Sequence, residues 1–213
     1  LPTPDGGGGQ EYALDLIPAS MLAPRMRRVA VVSILIGVVA GVVVALFASP
    51  LVALAVGAVV GLPTAVSALL ATRRRIWLDG NVLHASNGVR HRRVEVAQAV
   101  TVEFFVRYAR ISQVAVRIGD GRASQTVPLA LYAADGGREL DVLALRKLAD
   151  ALSSSELAPA AAAASVLIGQ LRAEARGAGL EERPLYRAVG LIRDAGRVPQ
   201  TTLTDQEVAT LAD

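Results

Sequence analysis

The sequence predicts an α+β membrane protein: a two-helix transmembrane hairpin, a small antiparallel β domain capped by a helix, and a helical tail. Three observations carry that prediction. Val29–Ala48 and Leu51–Thr72 are two uncharged apolar stretches of bilayer-spanning length, separated only by Ser49-Pro50. Between Ile76 and Leu129, short apolar runs alternate with the turn signals Asp79-Gly80, Asn87-Gly88 and Asp120-Gly121. From Glu139 onward the apolar spacing lengthens to three and four residues, the helical period.

Taken in chain order, residues 1–24 read as a flexible lead, with four consecutive glycines at Gly6–Gly9. The hairpin is expected over 25–75. At about 1.5 Å per residue, Val29–Ala48 rises roughly 30 Å, the thickness of bilayer hydrocarbon. A helix satisfies its own backbone in lipid, so two helices joined by a tight turn are the allowed solution. Burying both in a soluble core would need more surrounding chain than remains, and a second apolar stretch so soon after the first argues against a signal peptide. Arg25, Arg27 and Arg28 flank one end of the hairpin, and Arg73, Arg74 and Arg75 the other, while the turn carries no charge. The positive-inside rule then keeps both ends on the cytoplasmic side of the cell (inner) membrane, a two-pass topology with both termini cytoplasmic. Gly37 and Gly41, and Ala53, Gly57 and Gly61, repeat at spacing four, so each set shares one helix face and permits close approach, either within the hairpin or against a lateral partner. Pro63 removes a backbone donor from the second helix and is expected to kink it. Trp77 suits an interfacial anchor or a core residue of the domain that follows. Neither span holds an ionisable residue, which disfavours proton relays and ion coupling by this chain alone.

The β domain is expected over 76–155. Ile76–Leu78, Asn81–Ala85, Arg92–Val96, Ala99–Val106, Ile111–Ile118 and Ser124–Leu129 are its candidate strands, with Pro128 near a strand end or edge. Val142, Leu145, Leu148, Ala149 and Leu152 mark the face of a closing helix. The tail, 156–213, contains a helix over Pro159–Arg176, too short and too alanine-rich for a third span. A short helix follows Pro184, and Thr204 with Glu207 has the spacing of a capping box.

Arg74-Arg75-Ile76-Trp77-Leu78-Asp79-Gly80-Asn81-Val82-Leu83, continuing to Arg93-Val94-Glu95-Val96 and closing near Leu152, resembles bacterial membrane-anchored domains of the pleckstrin-homology-like type. With the hairpin, the resemblance covers somewhat over half of the chain and leaves Leu157–Asp213 outside. It implies a sheet of about seven strands capped by one helix, a scaffolding or interaction role, and no shared catalytic residues. The Ala-, Arg- and Val-rich usage is similar to that of high-GC actinobacterial proteins, in which small two-helix proteins accompany large envelope or respiratory complexes.

Catalytic chemistry finds little purchase. There is no Cys, which excludes disulfides, thiolate metal sites and cysteine nucleophiles. His84 and His91 are the only histidines, and without an acidic cluster they make a poor metal set. Gly6–Gly9 lacks the strand, Lys and Ser/Thr of a phosphate loop, and Asp135-Gly136-Gly137 reads as a turn. The chain is expected to be no enzyme and to need no cofactor.

Charge is the remaining signal. Arg73–Arg122 holds 10 Arg against 4 acids, net +6, whereas Ala123 onward holds 9 Lys plus Arg against 12 acids, net −3. The basic part begins where anionic headgroups lie. Arg73, Arg74, Arg75, Arg90, Arg92 and Arg93 therefore form either an anionic-lipid patch or a topology determinant. Phe104, Phe105, Tyr108 and their neighbouring arginines imitate a nucleic-acid surface, but at least two of these aromatics are expected in the core, so no nucleic acid is expected. The reading is an accessory or scaffolding subunit of a larger membrane complex, partnered by membrane lipids and other integral membrane proteins of an envelope or respiratory complex. The alternative is a stand-alone module that binds anionic lipid or recruits cytosolic proteins through the basic patch.

Overall fold

The computed structural model describes residues 11–16, 19–71, 73, 75–88, 90–134, 136–196 and 200–212. The chain divides into two compact units, one of Ile17–Arg75 with Ser86–His91, the other of the preceding residues, Ile76–Ala85 and Arg92 onward.

The first unit is built on helices α1 (Ala19–Ala45) and α2 (Pro50–Ala71). Backbone bonds from Leu46 to Val43 and from Phe47 and Ala48 to Val44 close α1, and the Ser49 carbonyl accepts from Ala53 to start α2. Both helices are long and apolar enough to cross a membrane. Only 11% and 22% of the residues in their most apolar windows are buried, the opposite of a soluble core helix. Helix α1 starts earlier than the expected residue 25, and Arg25, Arg27 and Arg28 lie within its first turns. Pro63 lies inside α2, which continues to Ala71, and the Ser67 hydroxyl donates to the Pro63 carbonyl at 2.8 Å.

The second unit holds two antiparallel sheets. One has the order β1-β2-β3-β4, from β1 (Tyr12–Ala13), β2 (Arg75–Asp79), β3 (Val82–Ser86) and β4 (His91–Glu95). The other has the order β8-β7-β6-β5-β9, from β5 (Thr101–Arg107), β6 (Ser112–Gly119), β7 (Ser124–Ala133), β8 (Gly136–Glu139) and β9 (Gln200–Thr202). Leu78, Leu83, Val94 and Val96 face inward from the first sheet, and Phe104, Val116, Ile118 and Leu129 from the second, forming one core. Helix α3 (Val142–Ser153) adds Leu145, Leu148 and Leu152, as their spacing predicted, and Asp141 caps it by accepting from the Leu143 N–H at 2.9 Å.

Four expectations need correction. Residues 12–16 of the expected flexible lead are structured: Tyr12 and Ala13 pair with Leu78 and Trp77, Leu14 and Leu16 are buried, and Lys147 of α3 sits over the Tyr12 ring. Residues 1–10, with the glycine run, lie outside the described residues. Pro128 is not near a strand end, although β8 pairs only with Ala130–Ala133 and so leaves the stretch of β7 that holds Pro128 without a strand partner on that side among the described residues. It lies mid-strand in β7, opposite Ala115 where the β6–β7 register shifts, and that irregularity accommodates a residue without a backbone donor. The tail is integral to the domain rather than appended to it: α4 (Ala158–Ala175) packs on α3, α5 (Pro184–Asp194) lies across β5, β6 and β7, and β9 extends the second sheet. Three successive buried residues in β6, Val114, Ala115 and Val116, show that both faces of that sheet are covered. Finally, only Phe104 of the three aromatics is buried. Phe105 is half-buried beneath Arg117, and Tyr108 is exposed. The capping box formed as expected at α6 (Asp205–Ala212): Thr204 Oγ1 accepts from the Glu207 N–H at 3.3 Å, and Glu207 Oε2 accepts from the Thr204 N–H at 2.9 Å.

Candidate functional site

Small residues bring α1 and α2 into backbone contact. A Cβ on Gly37 would stand 2.6 Å from the Gly57 carbonyl oxygen and 2.9 Å from Gly61 Cα. One on Gly41 would stand 3.1 Å from the Ala53 carbonyl oxygen. The structure therefore places all five small residues on the interface between the hairpin's own helices. Sequence reasoning missed its continuation, in which Ala30 packs against Ala65 and Ala68, with Met26 alongside. The signal was present, because Ala65 extends the run Ala53, Gly57, Gly61 by one more step of four. Beside this seam runs an open apolar furrow of about 440 Å³, bordered by Val38, Val42, Leu54 and Leu62. The rest of the outward surface is large and apolar, reaching 87% exposure at Phe47 and 81% at Leu51 near the turn.

At the other end of the hairpin, Arg73 meets the β3–β4 turn. Gly88 has φ +77, open to glycine, and a Cβ there would stand 2.8 Å from Arg73 Cβ. The Arg73 stem thus lies against the turn that carries Arg90, within one unit. Arg73, Arg75, Arg90, Arg92 and Arg93 are all exposed, and Arg74 lies outside the described residues. Arg92 donates to the Ser124 carbonyl at 3.5 Å.

Trp77 is half-buried, on the face of β2 opposite the buried Leu78. Its ring stacks on His84 of β3, with centroids 5.3 Å apart and planes 8° from parallel. His84 thus partners an aromatic ring, while His91 is exposed at the start of β4. Among the described residues no cluster of three or more His, Asp or Glu is arranged to hold a metal.

A polar cluster that the sequence did not disclose ties the tail to the second sheet. Glu139 accepts from the Tyr132 hydroxyl at 2.6 Å, from Gln170 Nε2 at 2.8 Å and from Arg183 Nη1 at 2.6 Å. Gln170, fully buried, in turn accepts from the Leu185 N–H at 3.1 Å. Burial, and then the bond to Glu139, push the Tyr132 hydroxyl far above its ordinary range, so it stays a donor. Among the described residues no buried side-chain polar atom lacks a partner. Every group in this cluster is satisfied, which suits a structural tie. A second tie is Asp120, whose carboxylate accepts from Arg122, Ala123 and Glu95 N–H groups and so joins the β6–β7 turn to the end of β4.

Comparison with known proteins gives no match to a protein family, to a curated protein or to a solved structure.

Proposed function

We propose that this chain is a non-catalytic accessory or scaffolding subunit of a larger membrane complex, a two-pass protein of the cell (inner) membrane with both termini cytoplasmic. Its hairpin docks integral membrane partners, and its two-sheet domain, read as pleckstrin-homology-like with α3 as the closing helix, docks cytosolic ones. One observation carries the reading. The hairpin's small residues are occupied by its own partner helix, while valine, leucine and isoleucine side chains cover its outward faces. Such a surface calls for lipid or other membrane helices, because water would penalise its exposure.

Strand pairing supports the topology independently of charge. The Leu14 N–H donates to the Ile76 carbonyl at 2.8 Å, and the Ile76 N–H donates to Asp15 Oδ1 at 3.1 Å. The segments before and after the two helices are hydrogen-bonded to each other, which supports a hairpin with both flanks on one side of a bilayer. The arginines on both flanks select the cytoplasmic side.

Extraction from native membranes in mild detergent, followed by native mass measurement, tests the proposal. Co-purifying membrane proteins are expected, and a strictly monomeric species would reject it.

A further inference from the structure

We infer that the face of α2 carrying Val59, Pro63 and Thr64 seats a transmembrane helix of a different integral membrane protein, one that presents a Ser, Thr, Asn or Gln side chain near the middle of the bilayer. This deepens the reading of the chain as a subunit of a membrane complex, and it rests on that reading.

Proline has no N–H, so Pro63 takes away the donor that the Val59 carbonyl would otherwise receive within α2. The second span runs from Pro50 to Leu70, which puts Val59 near mid-bilayer, where there is no water to replace that donor. An open backbone acceptor in hydrocarbon is costly, and proline-containing membrane helices satisfy it through a Ser or Thr side chain or a neighbouring helix. The hairpin itself supplies neither. Helix α1 lies on the opposite side: Gly61 meets Ser33 and Gly37, and Val59 and Pro63 each lie roughly 160° round the helix from Gly61. The Ser67 hydroxyl is engaged with the Pro63 and Thr64 carbonyls, at 2.8 and 3.0 Å. Among the described residues no side chain donates to the Val59 carbonyl, and the exposed Thr64 hydroxyl has no partner. An acceptor and a hydroxyl thus stand open in a field of large apolar side chains, with Val59 74% and Val66 51% exposed.

Chemistry selects the occupant. An acceptor in lipid calls for a donor, and a neutral hydroxyl or amide reaches that depth at far less cost than an ammonium or guanidinium. A second copy of this chain does not bring one. Symmetry about an axis along the bilayer normal keeps every residue at its own depth. Thr64 stands about 7.5 Å beyond Val59 along α2. Ser33, at the level of Gly61, lies in the hairpin's own seam between the buried Ala30 and Gly37.

The test places the photo-crosslinking residue benzoylphenylalanine at Val59 or Val66 of the full-length protein and illuminates native membranes. The expected product at both positions is an adduct to a different protein. Its crosslinked peptide, sequenced by mass spectrometry, should be a transmembrane segment with Ser, Thr, Asn or Gln at the contact. Pro63→Ala returns an N–H to the Val59 carbonyl, and Thr64→Val removes the hydroxyl while keeping the shape. Each should lower the adduct yield at Val66 by about threefold or more. Adducts to lipid alone, an adduct between two copies of this chain, a crosslinked segment without such a side chain, or an unchanged yield in either variant overturns this surface. If native mass measurement still finds a complex in those cases, the subunit reading stands, whereas a strictly monomeric species sinks both.

Discussion

Replacing Gly37 with alanine adds one methyl group where the structure leaves no room. Its carbon would stand 2.6 Å from the Gly57 carbonyl oxygen and 2.9 Å from Gly61 Cα, inside van der Waals contact. Both neighbours are backbone atoms of a packed helix and cannot rotate aside, so the helices must separate. Membrane helices associate through close packing rather than hydrophobic burial, and separation forfeits contacts along the whole seam. Overpacking of this kind costs about 1–3 kcal/mol, or roughly 5- to 150-fold in the closed-to-open equilibrium. The assay is an SDS titration in mixed micelles, read by the short-distance population between nitroxides at Val31→Cys and Val66→Cys. Both positions are exposed, and the chain has no native cysteine. Gly190→Ala is the control. It lies within α5 with open space around it, so alanine should leave the hairpin unchanged and stabilise the domain by about 0.5–1 kcal/mol. A Gly37→Ala curve that superimposes on the parent curve at every SDS fraction would refute the reasoning.

Other outcomes follow from the domain. Glu139→Gln should destabilise it by about 3 kcal/mol in urea, since Arg183 loses its partner in a mostly buried site. Adding Arg183→Met should cost less than the sum of the single changes, and strict additivity would contradict the network. Asp120 is held below the ordinary carboxylate range, foremost by the Ala123 N–H. Its contribution is therefore complete above the unfolded value of 3.8 and is lost as pH falls through the lower folded value. Asp120→Asn should cost about 1 kcal/mol at neutral pH and flatten the acid limb of the stability profile, whereas an unchanged limb would deny the linkage. Thr204→Ala should remove about 1 kcal/mol and speed amide exchange in α6, and unaltered exchange there would count against the cap.

What could be read in advance was what local chemistry determines. Uncharged runs of about twenty residues announce the hairpin, and Asp-Gly and Asn-Gly signals mark the β2–β3, β3–β4 and β6–β7 turns. Helix α3 has a single apolar face, and its period identifies it. The missed features depend on contacts distant in sequence. Strand β1 is two residues long and becomes ordered only because Leu78 and Trp77, more than sixty residues later, offer it an edge. Strand β9 is a polar Gln-Thr-Thr that pairs with β5 across roughly half the chain. The alanines of α4 argued against a third span but did not disclose its partners, and their small side chains let the helix pack closely on α3 and α6. Glu139 shows no special pattern in sequence, and its role emerges only where β8, α4 and Arg183 converge.

The most direct measurement of the central claim is labelling of single introduced cysteines by a membrane-impermeant maleimide in intact spheroplasts. Ser49→Cys, in the turn between the helices, should react from outside, while Arg25→Cys and Arg73→Cys should react only after lysis. Labelling of position 25 or 73 in intact cells, or of the two on opposite sides, would contradict the account.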